Sequence, residues 1–548
     1  MARRALILLA LLGSLLAAAP AAASRYVAPA KSGALFLFSG HGYGHGVGMS
    51  QYGAYGFAQN GWTYDAILAH YYPGTTLGAA PLDTIRVLLK DKVKTLTIAS
   101  DQPLTVTDGA GAVHTLAAGK TKLGVGLKLA VDGGPLTPLA PPLTFAPADG
   151  SYLTLGRAYR GTILVDLVDG KLRAVDTLPL EQYLDGVVPA EMPSTWSPEA
   201  LKAQAVAARS YALATRQLAA PFDVYPDTRS QMYLGVKAEK PSTTAAVDAT
   251  AGQVLFFGAK IATTYFSSTS GGATESAADV WGGKSIPYLV SVDDPFDAIS
   301  PFHDWGPVPV TAQTIARQLK VPGRIVDATT LPNPVGRVAT LDVSSLAGAP
   351  ASERVTAVTG ATARTKLGLR STWFDVGVLA LLPPAKTAPI PFGAKVTLSG
   401  LVRGVEDVVV EQRNTHVKWQ ELQPATPDEN GAITVVAKPT ITTDYRLATP
   451  DAAAAFVRVR VTPRVSLVSA TAAAVDGTER PLLPGATVQI QQQNPAGPPA
   501  WTTVARGTVN ADGTFSVPVA LAPGTVVRAV VAPGHGFWPG ASTAATVR

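Results

Sequence analysis

Cysteine is absent from all 548 residues. That excludes disulfide staples and thiolate metal ligands, so packing alone must hold the domains. Charged residues are scarce at 15%, and the chain has no basic run of the kind that tracks nucleic acid, so no nucleic-acid partner is expected. The formal net charge of +6 is small for this length and suits an anionic envelope as partner. Apolar runs long enough to span a bilayer are missing too, beyond the first residues. There Arg3 and Arg4 precede an apolar stretch from Ala5 to Ala19, and Ala21-Ala22-Ala23 offers small residues for cleavage near Ser24. This reads as an export signal over 1–23, giving a secreted or wall-associated protein with no stable membrane anchor after cleavage. A retained anchor is the alternative, but the run is short and no stop-transfer pattern follows.

What the chain does have is turn-forming residues. The 51 glycines and 44 prolines, with 47% hydrophobic residues, describe a globular chain of many short strands. It is too long for one core, and two to four domains are expected. From Asp83 to about Asp176 short alternating runs read as antiparallel sheet, with hairpins at Asp108-Gly109 and Asp169-Gly170. Past a Pro-containing linker at 382–391, two alternating β stretches look like copies. Trp419 and Trp501 lie 82 positions apart, as do Asn430-Gly431 and Asp512-Gly513. The fold class is α+β: a β-rich domain with a few helices over 24–380, followed by two small β-sandwich modules at 386–463 and 464–548. Spacing or wall contact is the work such modules suggest.

The chain is organised around Val187–Tyr211, VVPAEMPSTWSPEALKAQAVAARSY. A short helical step at Leu178–Leu184 is expected to lead into an apolar strand end at Val187. The chain then turns through Pro189, Glu191 and Pro193 and starts a helix. Ser197 suits the cap, Pro198 the first helical position and Glu199 the positive helix end. Leu201, Ala205, Ala208 and Ala212 share one face, so the helix can pack closely against a sheet. Glu191 then sits in a stiff apolar turn, where a carboxyl pKa rises and the group stays available as a proton donor. The plainer reading is an acid that complements the helix dipole.

Two further stretches stand out. Phe36–Leu77 follows a strand at 34–38 through glycines 40, 42, 44, 46 and 48, then continues as helices near 50–60 and 63–70. So dense a glycine loop lets backbone approach a ligand, or makes a tight structural turn. His41 and His45 lie in it. Two histidines among glycines lack a helix to fix them, and no metal or cofactor is assigned. Ser267–Ser276, SSTSGGATES, presents hydroxyls, two glycines and Glu275 at a strand end: a candidate sugar or oxyanion cradle, or a solvated loop.

VVPAEMPSTWSPEALKAQAVAARSYAL, STSGGATESAADVWGGKSIPYLVSVDD and GHGVGMSQYGAYGFAQNGWTYDAILAHYYPGT together resemble the SpoIID/LytB family, over residues 34–375. The resemblance implies a lytic transglycosylase that cuts peptidoglycan glycan strands. By motif the catalytic acid falls on Glu191, and an important arginine on Arg209, which would hold a sugar substituent or the lactyl carboxylate, or orient Glu191; the plainer reading of Arg209 is a helix cation paired with an acid. His45, Ser50 and Gln51 of the glycine motif join Ser268, Ser270, Gly271, Gly272 and Glu275 as expected substrate-binding residues. Family members carry the glycine motif after the other two. Here it comes first, as in a circular permutation, which works where termini lie close together. The strand at 34–38 should then pack where a continuation of 371–376 would have gone. Zinc in some relatives uses a cysteine, which this chain lacks. Beside the enzyme stands a second class: a non-catalytic wall-binding protein that assists a separate amidase, as the LytB name implies.

Overall fold

The computed structural model describes residues 33–347, 352–384, 387–494 and 500–548, so the export-signal reading at 1–23 lies outside the described residues. Strands hold 43% of the chain and helices 16%, in many small sheets, which makes it a β-rich α+β protein. The hairpins expected at Asp108-Gly109 and Asp169-Gly170 join Leu104–Thr107 to Val113–Leu116 and Thr162–Val168 to Lys171–Pro179.

The sheet that frames the motifs has the order Asp304–Thr311, Leu35–His41, Trp373–Leu381, Val396–Arg403, Ala432–Ala437. Leu35–His41 runs antiparallel to both neighbours, with Leu35 opposite Thr311 on one side and Leu379 on the other. It therefore lies beside Trp373–Leu381 as the next strand of a hairpin would, the neighbour that the displaced motif order calls for. A strand covered on both faces needs a continuous apolar run, and LFLF supplies one. Phe36 and Phe38 pack with Trp305, Val310, Phe374 and Val378, while Leu35 and Leu37 pack with Leu379, Leu398, Val410 and Tyr445. One short strand closes two cores. Phe36→Ala should cost about 3–5 kcal/mol, the usual penalty for emptying a buried aromatic site; a lower midpoint in chemical denaturation checks it.

The 82-residue period of the tail is also a period of strand pairing. Val396–Arg403 pairs with Ala432–Ala437, and Val409–Arg413 lies between Gln420–Pro424 and Thr443–Ala448. In the same scheme Ala474–Arg480 pairs with Thr514–Pro518, and Thr487–Gln493 lies between Trp501–Thr508 and Val526–Ala532. The first set is not free-standing, because Val396–Arg403 also pairs with Trp373–Leu381. One sheet thus runs across the boundary expected near 380–386.

Helices α1 (Gln51–Gln59), α2 (Tyr64–Tyr71), α3 (Leu180–Glu191), α4 (Pro198–Thr215) and α5 (Pro241–Ala249) gather behind the motifs. The strand end expected at Val187 is instead the interior of α3. Leu180, Tyr183, Leu184, Val187 and Val188 recur at helical spacing and are all buried, and that stripe overrides the local signals of Gly186 and the valine pair. Pro189 falls inside the last turns, and the helix stops two residues later at Glu191, with Met192 extended. α4 is buried nearly all round and packs on α1, α2, α3, α5 and the strand Gln253–Phe257, so it is a core helix and not one laid on a sheet by a single face. Pro198 does open it, but the Ser197 side chain makes no cap hydrogen bond.

Candidate functional site

The glycine motif and the Ser/Gly motif are pressed against each other. Tyr43 bridges to Thr269 and Val47 to Glu275, and Met49–Ser50 runs parallel to Phe266–Ser267. Space demands glycine here. At Gly48, with φ +70°, a Cβ would lie 2.1 Å from the Tyr265 carbonyl oxygen; at Gly42, with φ +77°, it would lie 2.6 Å from that of Ser270. The glycines at these positions serve contact between two chain segments.

The expected cradle is mostly an internal knot. Ser50 Oγ caps α1 by accepting the Gly53 N–H at 3.0 Å and donates to Asp297 Oδ1 at 2.6 Å. Ser270 Oγ donates to Asp294 Oδ2 at 2.7 Å, and the Gly271 N–H donates to Asp297 Oδ2 at 2.9 Å. Glu275 accepts from the Ser276 N–H at 2.8 Å and from Asn333 Nδ2 at 2.6 Å, beside the buried Arg337. Ser50, Ser270, Glu275, Asp294 and Asp297 are all buried. Buried carboxylates must collect donors, and the hydroxyls and amides expected to face sugar are used for that. Gly272 lies half-buried at the margin, its N–H on Ser270 Oγ at 3.1 Å. Ser268 is half-buried too, and its carbonyl accepts the Tyr52 N–H at 3.0 Å.

The motifs do converge, but at the end of α3. Glu191 is the last residue of that helix and half-buried. Its Oε1 accepts the Met232 N–H at 3.4 Å, and the Gln51 side chain hydrogen-bonds to it. Burial pushes the carboxyl up to about 7, against those two hydrogen bonds, which pull it down. Gln51 opens α1 and also donates from Nε2 to Gln204 Oε1 of α4 at 3.4 Å. The next residue, Tyr52, meets Trp196 edge-on at 4.7 Å, and Tyr55 stacks on Trp196 at 4.6 Å and 7°. These rings are half-buried and form an apolar flat beside the carboxyl's neighbour.

A second ring group adjoins. Tyr211 of α4 feels the Glu191 charge and lies 5.5 Å from Tyr265, which in turn lies 4.5 Å from Trp281. His45 packs under this group, 6.0 Å from Tyr265 and 5.4 Å from Trp281. Burial first, then the Arg364 and Arg337 charges, push its pKa down to about 3, and its Nδ1 accepts the Val47 N–H at 3.0 Å. The imidazole is therefore neutral, a wall and not a proton donor. With that lone pair engaged and cysteine absent, these residues do not fit the zinc site of some relatives.

Arg209 points away from Glu191 and pairs with another acid, the plainer of its two readings. The side chain is fully buried; Nε donates to Glu181 Oε1 at 3.0 Å, Nη1 to the Gln253 carbonyl at 3.0 Å, and Nη2 to Glu181 Oε2 and the Val247 carbonyl. Glu181 begins α3 and Glu191 ends it, about 15 Å of helix apart. Arg209 is thus a strut between α4, α3 and the segment 247–253. Around the α4 axis it points about 140° from Gln204 and 160° from Tyr211, the residues that look towards Glu191.

Sequence reasoning missed Tyr52, Tyr55, Trp196, Gln204 and Tyr211. A signal was present: Tyr52 and Tyr55 at i, i+3, and Gln204 and Tyr211 at i, i+7, each share a helix face.

Residues 168–257, which include α3, α4 and α5, match the family described as stage II sporulation protein, SpoIID. An uncharacterized protein of Brachyspira hyodysenteriae is 39% identical over 153 residues, covering 27% of this chain and 41% of that protein. The amidase enhancer of Bacillus subtilis is 40% identical over 114 residues, 21% of this chain and 15% of its own length. Stage II sporulation protein D of Bacillus subtilis is 37% identical over 146 residues, 24% of this chain and 42% of its own. The chain thus spans at most 42% of the length of these three relatives. The segment that holds Glu191 is thus similar to proteins of the SpoIID/LytB family.

Proposed function

We propose that the chain acts on the cell wall and cleaves peptidoglycan glycan strands as a lytic transglycosylase, with Glu191 as both acid and base. The observation that carries this reading is the Glu191 carboxyl, raised to about 7 by burial and held by Gln51 beside the rings of Tyr52, Tyr55 and Trp196. Protonated Glu191 gives its proton to the oxygen leaving C1 of N-acetylmuramic acid, through an oxocarbenium-like transition state. The carboxylate then takes the proton of the same sugar's C6 hydroxyl, whose oxygen bonds to C1 and leaves a 1,6-anhydro end. The acid is restored and no water is consumed. A hydrolase of the usual kind needs a second carboxylate flanking the bond. Export to the wall is part of the same proposal.

A non-catalytic helper of an amidase is the second reading, favoured by the 40% match to a protein named amidase enhancer. The two separate in one experiment: the full chain is incubated with denuded and with intact peptidoglycan, and released fragments are weighed by mass spectrometry. Anhydro-ended fragments support the enzyme. Absence of fragments, with faster release by an added amidase, supports the helper.

Gln51 gives a finer check. Its hydrogen bond pulls the Glu191 pKa down, so Gln51→Leu should raise it and move the high-pH fall of fragment release to higher pH. A pH profile unchanged from the parent would detach Gln51 from the acid.

A further inference from the structure

A cleft of about 340 Å³, a size suited to a small ligand, opens in the tail where Arg413, Asn414, Asp444 and Arg458 face Phe537 and Trp538. Its walls are tied together. The Thr442 N–H donates to the Gly536 carbonyl at 2.9 Å, and the Trp538 N–H to the Val461 carbonyl at 2.8 Å. Asp444 accepts Arg413 Nη2 at 2.8 Å and Arg458 Nε and Nη2 at 2.7 and 3.0 Å. Arg413 is further held over Trp419 and Phe456, 4.5 and 5.1 Å from the ring centroids. Two guanidiniums carry more N–H donors than one carboxylate can engage, and the trio keeps one positive charge. Trp538 is 42% exposed, with Arg460 at 4.2 Å over its ring.

The repeat separates scaffold from chemistry. Arg446 lies 4.1 Å over Trp419, and 82 residues on Arg528 lies 4.3 Å over Trp501, so that pair belongs to the shared framework. Phe456 and Trp538 are likewise an aromatic pair 82 apart. The charged trio is not repeated: Asp444 pairs with Arg413 and Arg458, whereas its counterpart Val526 pairs with Thr546 and has Gln493 in the place of Arg413. The fold therefore does not require those charges, and they occur in the copy that forms the cleft.

We propose that this cleft binds a saccharide bearing an anionic group, a carboxylate or a phosphodiester, at a site separate from Glu191. The exposed indole offers a flat apolar face to a sugar ring, Asn414 suits its hydroxyls, and the guanidiniums fixed by Asp444 take the anion in planar fashion. The site does not depend on whether Glu191 is catalytic.

Isothermal titration of the full chain tests it with three probes: peptide-free glycan strands carrying muramic-acid carboxylates, poly(N-acetylglucosamine 1-phosphate), whose sugars are joined by phosphodiesters, and neutral chitohexaose. At least one charged polymer should bind about tenfold more tightly than chitohexaose, and Arg458→Gln and Trp538→Ala should each weaken that binding about tenfold or more. Which polymer responds identifies the anionic group. Fragment release from a short soluble glycan should be the same in Arg458→Gln as in the parent, so failure of the Glu191 reading and failure of this one are told apart. Parent-like binding in both variants, with unchanged thermal unfolding, overturns the proposal. So does chitohexaose bound as tightly as the charged polymers, or neither polymer bound at all. Should Trp538→Ala fail to fold, the half-solvated Arg458→Gln carries the test alone.

Discussion

Glu191→Gln should lower the release of anhydro-ended fragments by about 10³-fold, within the range that positioned acid–base groups supply. The change is nearly isosteric and keeps an oxygen for the Met232 N–H, so the fold should survive it. In the parent, the first step needs the protonated acid, so release should fall as pH rises through about 7. A stability signature accompanies this. Burial raises the folded pKa above the unfolded 4.5, so the stabilisation tied to the protonated form is complete below about 4.5 and lost as pH climbs through 7. Glutamine has no proton to lose. The variant should therefore gain on the parent by on the order of 2 kcal/mol between pH 5 and pH 8. Urea midpoints at the two pH values read it directly, and midpoints that shift in parallel would mean the carboxyl is solvated.

Arg209→Ala should do the reverse, costing about 3–4 kcal/mol of stability while sparing the rate per folded molecule. The deletion removes every donor that Glu181 Oε2 and the Gln253 and Val247 carbonyls receive from this guanidinium, and it empties a fully buried site. Glu181 retains the Gly252 N–H at 3.0 Å and some solvent, which keeps the loss below that of a wholly buried orphaned charge. The measurement is paired: the unfolding midpoint against kcat corrected for folded fraction. A kcat drop at full folding would return Arg209 to the reaction.

The two residues carried over by one motif thus fare differently, and the reason is angular. Position along α4 was readable, since Pro198 and the alanine run mark the helix. Which face of a helix buried on all sides meets the site depends on its partners, and α1 arrives from the other end of the sequence. The same holds for the cradle. SSTSGGATES looks like a surface loop until Asp294 and Asp297, some twenty residues on, claim its hydroxyls and amides. α3 is the instructive miss, because its stripe from Leu180 to Val188 was in plain view, and Gly186 and Pro189 drew attention from it. Short-range signals served well for the hairpins at Asp108 and Asp169 and for α1 and α2, where capping and turn residues are local. The burial of Glu191 was legible, but the turn expected around it is the last turn of α3, and Gln51, on a distant helix, was not legible as its hydrogen-bond partner.

The strand Trp373–Leu381 is hydrogen-bonded on one edge to Leu35–His41 and on the other to Val396–Arg403. Among the described residues, one continuous sheet therefore joins the strand that opens the glycine motif to the start of the tail. If the tail grips a wall polymer as proposed, that shared sheet ties the orientation of the grip to the orientation of the Glu191 carboxyl.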